Sequence, residues 1–219
     1  MNTDLVAYYR ERAKEYERIY HKPERQEELA QLIAILQGFF AGKHVFEIAC
    51  GTGYWTERIA NTANYVLATD INEAVLDIAR KKSYPDDRVT FRQADIFDLS
   101  SFTQQYESLF GGFIWSHVLL QDLAKFTSIL RKHVVPGGTV VLVDNNYVQG
   151  SSLPITQQDE VGNTYQSRTL DDGSTHLVLK NFPTEEYIRE LLQGQATDIE
   201  FISLEHYWVL RYKTLKTGE

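Results

Sequence analysis

The stretch Val45–Trp55 constrains the fold more than any other part of the sequence. A short apolar run, Val45–Ala49, enters a turn that contains Gly51 and Gly53 and then continues into a helical pattern. Glycine adopts positive φ at little cost and lets the backbone pass close beneath a ligand. A strand, a tight turn and a helix in this order form the first unit of an open parallel α/β sheet. Such sheets bind ligands at the carboxyl ends of their strands.

Short apolar runs and helical patterns alternate through the middle of the chain. The sequence predicts further strands at Tyr65–Thr69, Val89–Gln93, Gly112–Trp115 and Thr139–Val143. It predicts helices at Trp55–Asn61, Glu73–Lys82 and Asp122–Val134, with Asn72 capping the second of these. A helix capped by Thr184 and two closing strands, Ala196–Leu204 and Tyr207–Lys213, follow. This alternation predicts right-handed βαβ crossovers and one largely parallel sheet.

Two helical segments precede this pattern. Asp4–Tyr20 repeats aromatic residues at helical spacing, and a second helix begins at Pro23 and ends at Gly42. The first segment is rich in tyrosine, which favours hydroxyl groups facing a polar pocket, although simple packing in the core is the alternative. We predict that residues 1–42 form a helical cap over the functional site.

Residues 145–182 interrupt the α/β pattern after the fifth strand. Asp144–Gly162 has no clear periodicity, and the runs Thr164–Leu170 and Thr175–Leu179 flank a turn sequence typical of a β-hairpin. The basic side chains of this hairpin, Arg168, His176 and Lys180, are expected at the surface. We predict one domain over residues 1–219, with 145–182 inserted over the pocket.

The composition excludes several classes of protein. The chain has 219 residues with a net charge of −8, which disfavours general nucleic-acid binding. Cys50 is the only cysteine, so a disulfide framework and a multi-cysteine zinc site are excluded. The sequence has neither an apolar run long enough for a membrane span nor a signal-peptide core. We expect a cytoplasmic monomer or homodimer without metal, membrane or nucleic-acid partners.

Acidic residues lie at the ends of the first three predicted strands. Asp70 follows Gly51 by nineteen positions, which places a carboxylate beside the turn, where it can accept hydrogen bonds from a ribose. A dinucleotide fingerprint would require a third glycine at Thr56. The charge of Glu47 would oppose a pyrophosphate but favour an ammonium or a sulfonium. A nicotinamide-dependent oxidoreductase is therefore a disfavoured alternative.

Four ordered motifs resemble those of the class I S-adenosylmethionine-dependent methyltransferases. The resemblance spans about residues 44–144. Glu47–Gly53 resembles the first motif, Asp70 the ribose-binding acid, Asp95 and Ile96 the adenine-binding motif, and Val135–Thr139 the turn before the fifth strand. There are two departures. Ala49 replaces the first glycine, and Gly111-Gly112 stands where many members have an acidic residue opening the fourth strand.

The resemblance implies a Rossmann-like, seven-stranded, mostly parallel sheet with an antiparallel last strand. It implies S-adenosylmethionine as the cofactor and S-adenosylhomocysteine as its product. The reaction would be in-line methyl transfer to an O, N or S atom of a small-molecule acceptor. The residues expected to bind the cofactor are Glu47, Ala49, Gly51, Gly53, Trp55, Asp70, Ile71, Asp95, Ile96 and Ser116.

Candidates for catalysis and for acceptor binding lie near the same edge of the predicted sheet, at the carboxyl ends of its strands. His117 follows the fourth predicted strand and is the first candidate for a general base, with Tyr20 and Tyr147 as weaker ones. A purely structural role for His117 is the alternative. The residues expected to contact the acceptor are Tyr8, Tyr16, Asn145 and Asn146, and Arg12 and His21 are placed to reach a ligand carboxylate. Protein or peptide methylation and non-catalytic binding of S-adenosylmethionine remain alternative functions.

Overall fold

The computed structural model describes residues 3–85 and 87–216. Ten strands are present in this part of the chain: β1 His44–Ile48, β2 Tyr65–Asp70, β3 Val89–Gln93, β4 Tyr106–Gly112, β5 Val134–Asn145, β6 Gln157–Gln158, β7 Thr164–Thr169, β8 Thr175–Leu179, β9 Ala196–Ser203 and β10 Tyr207–Thr214. Seven of them form one sheet in the order β3-β2-β1-β4-β5-β10-β9. The pairings among β1–β5 are parallel, and β10 is antiparallel to both neighbours. The predicted fold class is confirmed.

Helices cover both faces of this sheet. They are α1 Thr3–Glu11, α2 Gln26–Phe40, α3 Tyr54–Ala60, α4 Glu73–Ala79, α5 Leu123–Lys132 and α6 Glu185–Leu192. Val45 packs with α2 and α3 in one buried cluster, whereas its neighbour Phe46 packs with α5 and α6 in another. Successive strand residues point to opposite faces, so strands buried on both sides become continuously apolar.

The predicted position of the fourth strand is wrong. The strand is Tyr106–Gly112, so the Gly111-Gly112 pair ends it rather than opening it. Beyond this pair, Phe113 has φ +60° and Trp115–His117 forms a 3-10 turn. Gly111 fits here because a Cβ atom would lie 2.9 Å from the Leu142 side chain. The apolar residues of Gly112–Trp115 therefore led to a predicted strand that begins where the observed strand ends, next to the positive φ of Phe113.

The Pro-Gly-Gly motif lies inside β5 rather than in a separate turn before it. Tyr106 pairs with Val134, and Ser108 pairs with Thr139, so the motif is an insertion in the ladder between β4 and β5. Gly137 has φ +75°, which a residue with a Cβ atom rarely adopts.

The N-terminal segment is not the single helix predicted over Asp4–Tyr20. The helix α1 ends at Glu11, and 3-10 turns follow over Arg12–Lys14, Tyr16–His21 and Pro23–Arg25. Contacts with the glycine turn account for the break. Tyr20 stacks on Tyr54 with ring centroids 3.7 Å apart, and Glu17 accepts a hydrogen bond from the Thr52 hydroxyl at 2.7 Å. These tertiary contacts override the helical pattern.

The insertion forms a second sheet in the order β6-β7-β8, and the predicted hairpin is its β7–β8 pair. The expectation that the hairpin's basic residues lie at the surface is wrong for Lys180, which is 4% exposed. The reason is an ion pair with Asp144 at the end of β5, 2.8 Å away. Among the described residues, no helix combines the length and apolar character needed to cross a bilayer.

Candidate active site

The turn after β1 gives the backbone an unusual conformation at three positions. Ala49, Gly51 and Gly53 have φ values of +50°, +55° and +77°. A Cβ atom at Gly51 would have Tyr16 as its nearest neighbour at 3.7 Å, whereas one at Gly53 would lie 2.6 Å from the Tyr84 hydroxyl. Gly51 therefore leaves the cavity side of the turn without a side chain. Gly53 allows the Tyr84 side chain to pack closely against the turn. Ala49 adopts the left-handed conformation without being glycine, which costs roughly 1–2 kcal/mol.

Asp70 organises the end of β2 around this turn. Its Oδ2 accepts a hydrogen bond from the Gly51 backbone N–H, and its Oδ1 accepts one from the Asn72 backbone N–H, both at 2.9 Å. Burial raises the pKa of this carboxyl above its usual value, and the backbone N–H donors offset only part of that increase. Each oxygen retains a further lone pair for a ligand hydroxyl. The predicted side-chain cap by Asn72 is wrong, because its amide donates to the Val6 carbonyl instead.

A narrow cavity opens between this turn and the N-terminal segment. Ala49, Gly51, Asp70, Ile71 and Ile96 line it, and all five were predicted to bind the cofactor. The lining fits S-adenosylmethionine, since it offers a carboxylate at the position for ribose hydroxyls, apolar walls and a bare backbone turn. The remaining walls include the aromatic and imidazole side chains of Tyr9, Tyr16, Phe113 and His117.

The free volume of this cofactor cavity is about 60 Å³. Such a volume holds only a few water molecules. Tyr9 and Tyr16 bring the N-terminal segment into the wall of this narrow space.

Glu47 lies behind the turn rather than on the cavity surface. Its side chain is 1% exposed, and its Oε2 is buried without a hydrogen-bond partner in the described part of the chain. Burial, and secondarily the charge of Asp70, raises the pKa of Glu47 to about 8. An unpartnered buried oxygen is a ready acceptor for a ligand donor or cation. Burial therefore favours the protonated form of Glu47 at neutral pH over the full negative charge expected from the sequence.

His117 is buried where the cofactor cavity meets a second one. Its Nδ1 lies 2.6 Å from the Leu179 carbonyl oxygen, and its Nε2 lies 2.6 Å from the Tyr9 hydroxyl. A carbonyl only accepts, so Nδ1 carries the proton and Nε2 accepts from Tyr9. Burial, reinforced by the charges of Lys180 and Arg168, lowers the pKa of His117 well below its usual value. The ring is therefore neutral at pH 7.

The second cavity has a volume of about 550 Å³ and lies between the N-terminal segment and the insertion. We call it the acceptor cavity. Tyr8, Tyr16, Tyr20 and Asn145 line it, as four of the predicted acceptor or catalytic residues. Both cavities share Tyr9, Tyr16, Phe113 and His117. These four residues form the junction between a nucleoside site and a larger site.

Several predicted residues have structural roles instead. Trp55 is buried and donates through Nε1 to the Tyr20 hydroxyl at 3.1 Å. Ser116 is fully buried and bound by Lys180 at 2.7 Å, so it does not reach the cofactor cavity. The Asn146 amide donates to the Leu204 and Tyr207 carbonyls. In each case, hydrogen bonds to distant parts of the chain fix a side chain that the sequence had placed at the carboxyl-end edge of the sheet.

Three other predicted residues also lie away from the two cavity surfaces. Gly53 packs under the turn, and Asp95 accepts a hydrogen bond from the Phe97 backbone N–H. Tyr147 is 43% exposed and packs edge-on against Phe182, so it reaches neither cavity. His21 is exposed, whereas Arg12 does line the acceptor cavity.

Two important residues were not among the predicted site. Tyr9 belongs to the tyrosine-rich segment Asp4–Tyr20, and no other feature of the sequence indicated that it lies at the junction. Arg168 lies on the hairpin and lines the acceptor cavity, although the sequence placed it at the surface. Nothing local in the sequence shows that β7 folds over the N-terminal segment.

Comparison with known proteins gives consistent matches. The model of a family described as methyltransferase domain matches residues 45–138. The demethylmenaquinone methyltransferase of Clavibacter sepedonicus is 26% identical over 181 residues, covering 81% of this chain and 71% of the relative. A ubiquinone biosynthesis O-methyltransferase of Acinetobacter baylyi is 28% identical over 180 residues, covering 78% of this chain and 73% of the relative.

Solved structures match over nearly the whole chain. The complex of DhpI with SAH superposes with a TM-score of 0.77 at 26% identity, covering 97% of this chain and 96% of DhpI. Magnesium protoporphyrin IX methyltransferase from Synechocystis, with bound SAH, has a TM-score of 0.67 and covers 98% of this chain. At 17% identity, this second match shows the shared fold alone.

Proposed function

We propose that this chain, as a class I S-adenosylmethionine-dependent methyltransferase, methylates a small molecule bound in the acceptor cavity. The observation that carries this proposal is the junction. Tyr9, Tyr16, Phe113 and His117 line both cavities, so a ligand in one touches the same side chains as a ligand in the other. The relatives named as a demethylmenaquinone methyltransferase and a ubiquinone biosynthesis O-methyltransferase are small-molecule methyltransferases by those names, which also supports a small-molecule acceptor.

The cofactor supplies a methyl group already activated by the positive charge of its sulfonium. The chain's own contribution is then to bind, align and exclude water. Asp70 and the bare turn at Gly51 hold the nucleoside end, while Ile71 and Ile96 supply apolar walls. Holding two reactants in line supplies about 7–11 kcal/mol of a displacement barrier.

His117 is poorly suited to removing a proton from the acceptor. Its Nε2 lone pair is engaged by Tyr9, and its pKa lies well below the usual value for histidine. A general base works best when its pKa is near the operating pH. We propose that His117 orients the Tyr9 hydroxyl at the junction and that the acceptor atom enters the reaction with its lone pair free. Tyr20 is a still weaker base, because burial raises its pKa well above the usual value.

Transfer of a labelled methyl group tests this proposal. The purified protein is incubated with methyl-labelled S-adenosylmethionine and either a dialysable metabolite extract or the retained protein fraction. We expect label in the dialysable fraction only, and less of it with Asp70→Asn at a subsaturating concentration of S-adenosylmethionine. Label in the protein fraction would instead establish a protein or peptide acceptor. Binding of S-adenosylmethionine without any transfer would establish a non-catalytic binding protein.

A further inference from the structure

The acceptor cavity has a charge opposite to that of the whole chain. Acidic residues outnumber basic ones, 30 to 22, over the full sequence. Among the described residues that line the cavity, the only acidic side chain is Glu15, whereas six side chains are basic. These are Arg12, Arg18, Lys22, Arg25, Arg168 and Lys180. A concave site lined by one sign of charge concentrates ligands of the opposite sign.

Three of these six cations lie beside a carboxylate. Lys180 is paired with Asp144 at 2.8 Å and Arg18 with Asp171 at 2.7 Å. Lys22 lies 3.9 Å from Glu24 and donates to the Ser151 carbonyl, and Arg25 donates to the Ser151 hydroxyl. Arg25 has no carboxylate partner among the described residues and a buried, unpartnered Nε, but its guanidinium lies over the Tyr207 ring, 5.6 Å from the centroid. Arg12 and Arg168 instead both lie over the Tyr8 ring, at 5.7 and 6.0 Å from its centroid, and both act on His117 at the junction.

Arg12 and Arg168 have no carboxylate partner among the described residues. Arg12 lies against the rings of Tyr8 and Tyr16, at 5.7 and 5.5 Å from their centroids. Arg168 donates to the Gln166 side chain at 2.8 Å, and its Nε is buried without a hydrogen-bond partner. A partly buried guanidinium with an unused donor is costly unless an anion completes it.

Both guanidinium groups border the junction. Their charges act on His117 strongly enough to contribute to the lowering of its pKa, and Arg168 also acts on the Tyr9 hydroxyl. Tyr16, which Arg12 contacts, lines both cavities. An anion bound by this pair therefore lies beside the point where the methyl group must pass.

We propose that the methyl acceptor is an oxygen of an ionised oxyanion, a carboxylate or a phosphate, held by Arg12 and Arg168. This inference rests on the proposed methyl-transfer function. One oxygen lone pair forms the new bond to the methyl carbon while the bond from that carbon to sulfur breaks. The electron pair of the broken bond stays on sulfur, the oxyanion loses one negative charge, and no proton is transferred. This chemistry suits a junction whose histidine is neutral and engaged.

Calorimetry on the protein saturated with S-adenosylhomocysteine tests the proposal. Inorganic phosphate and acetate are titrated separately at low ionic strength into the unmodified chain and into Arg168→Gln, Arg12→Gln and Arg168→Lys. The control is Arg189→Gln, because Arg189 lies on the exposed surface of α6 and pairs with Glu185. Phosphate and acetate distinguish the two sources of the oxyanion.

We expect at least one of the two anions to bind. Arg168→Gln and Arg12→Gln should each weaken it by at least about tenfold, as for a lost hydrogen bond to a charged group. Arg168→Lys should recover part of the loss, and Arg189→Gln should have no effect. Binding of neither anion, or equal binding by both Gln variants and the unmodified chain, would overturn the inference. Failure to bind S-adenosylhomocysteine at all would instead overturn the proposed function.

Discussion

The cofactor cavity and the acceptor cavity are built in different ways. The first is made by backbone at the ends of β1 and β2, where a carboxylate fixes two N–H groups beside a bare turn. The second is made by side chains from the N-terminal segment and the hairpin, which lie far apart in the sequence. Proteins that share a fold also share the backbone geometry of its strand ends, whereas the charged side chains of an appended segment differ from one protein to the next. Under the proposed function, the fold supplies the site for the methyl donor, while the N-terminal segment and the insertion supply the site for the acceptor.

The largest effect on stability is expected from breaking the buried Lys180–Asp144 ion pair beside the acceptor cavity. Lys180 donates to Asp144, Ser116 and Asn145 at 2.8, 2.7 and 3.0 Å. Lys180→Met leaves Asp144 buried without its cation, which should lower the free energy of unfolding by about 3–5 kcal/mol. Urea denaturation measures this loss, with Lys132→Met at the exposed end of α5 as the control. A loss below about 1 kcal/mol would show that the hairpin is not held by this pair.

Replacing Glu47, beside the cofactor cavity, is expected to change the free energy of unfolding by a comparable amount, but this change should depend on pH. The pKa of Glu47 is raised to about 8 in the folded chain from 4.5. Between these two values, the unfolded chain has released a proton that the folded chain retains, so stability falls as pH rises through this window. Glu47→Gln should abolish this fall and gain up to about 4 kcal/mol above pH 8.

Unfolding experiments from pH 4.5 to 9 check the effect of Glu47→Gln, with the exposed Glu186→Gln as the control. Parallel pH profiles for Glu47→Gln and the unmodified chain would contradict a buried protonated carboxyl.

A smaller effect is expected at the junction. If the acceptor arrives ionised, His117→Gln should lower turnover by less than about tenfold, compared with a factor of 10²–10⁴ for loss of a general base. Because burial keeps the ring neutral, the rate should also show no inflection from His117 near pH 6.5. Steady-state rates with the acceptor identified by label transfer check both points. A loss above a hundredfold would restore His117 as the base.

The smallest effect is expected at Ala49. Its φ of +50° suits glycine, so Ala49→Gly should raise the free energy of unfolding by up to about 1 kcal/mol. Ala124→Gly is the matched control, because Ala124 lies in the ordinary helix α5 and its replacement should destabilise by about 0.5–1 kcal/mol. Equal destabilisation by both changes would contradict the strain at the turn.

The cofactor side was predictable because its signals are local. The strand, the turn with Gly51, and Asp70 at the next strand end follow one another closely in sequence, and the parallel sheet brings them together. The errors on this side arose where packing overrides propensity. The Gly111-Gly112 pair lies at the end of β4, where a Cβ atom at Gly111 would meet the Leu142 side chain, and Tyr20 leaves the helical pattern where it stacks on Tyr54.

The acceptor side was predicted only in part. The hairpin could be located from its turn residues, but its docking position depends on the Lys180–Asp144 pair, which no local pattern shows. Arg168 therefore seemed exposed, and Tyr9 could not be distinguished from the other tyrosines of its segment. The side chains of Asn146 and Ser116 line neither cavity for the same reason, because long-range hydrogen bonds determine where they point.

Titration of S-adenosylhomocysteine into Asp70→Asn and Arg168→Gln tests the separation of the two sites most directly. Asp70→Asn should weaken binding by about 1.5–3 kcal/mol, since it removes a charged acceptor from the nucleoside site. Arg168→Gln should bind S-adenosylhomocysteine as the unmodified chain does, because Arg168 lines only the acceptor cavity. Equal weakening by both variants, or unchanged affinity in Asp70→Asn, would contradict the account.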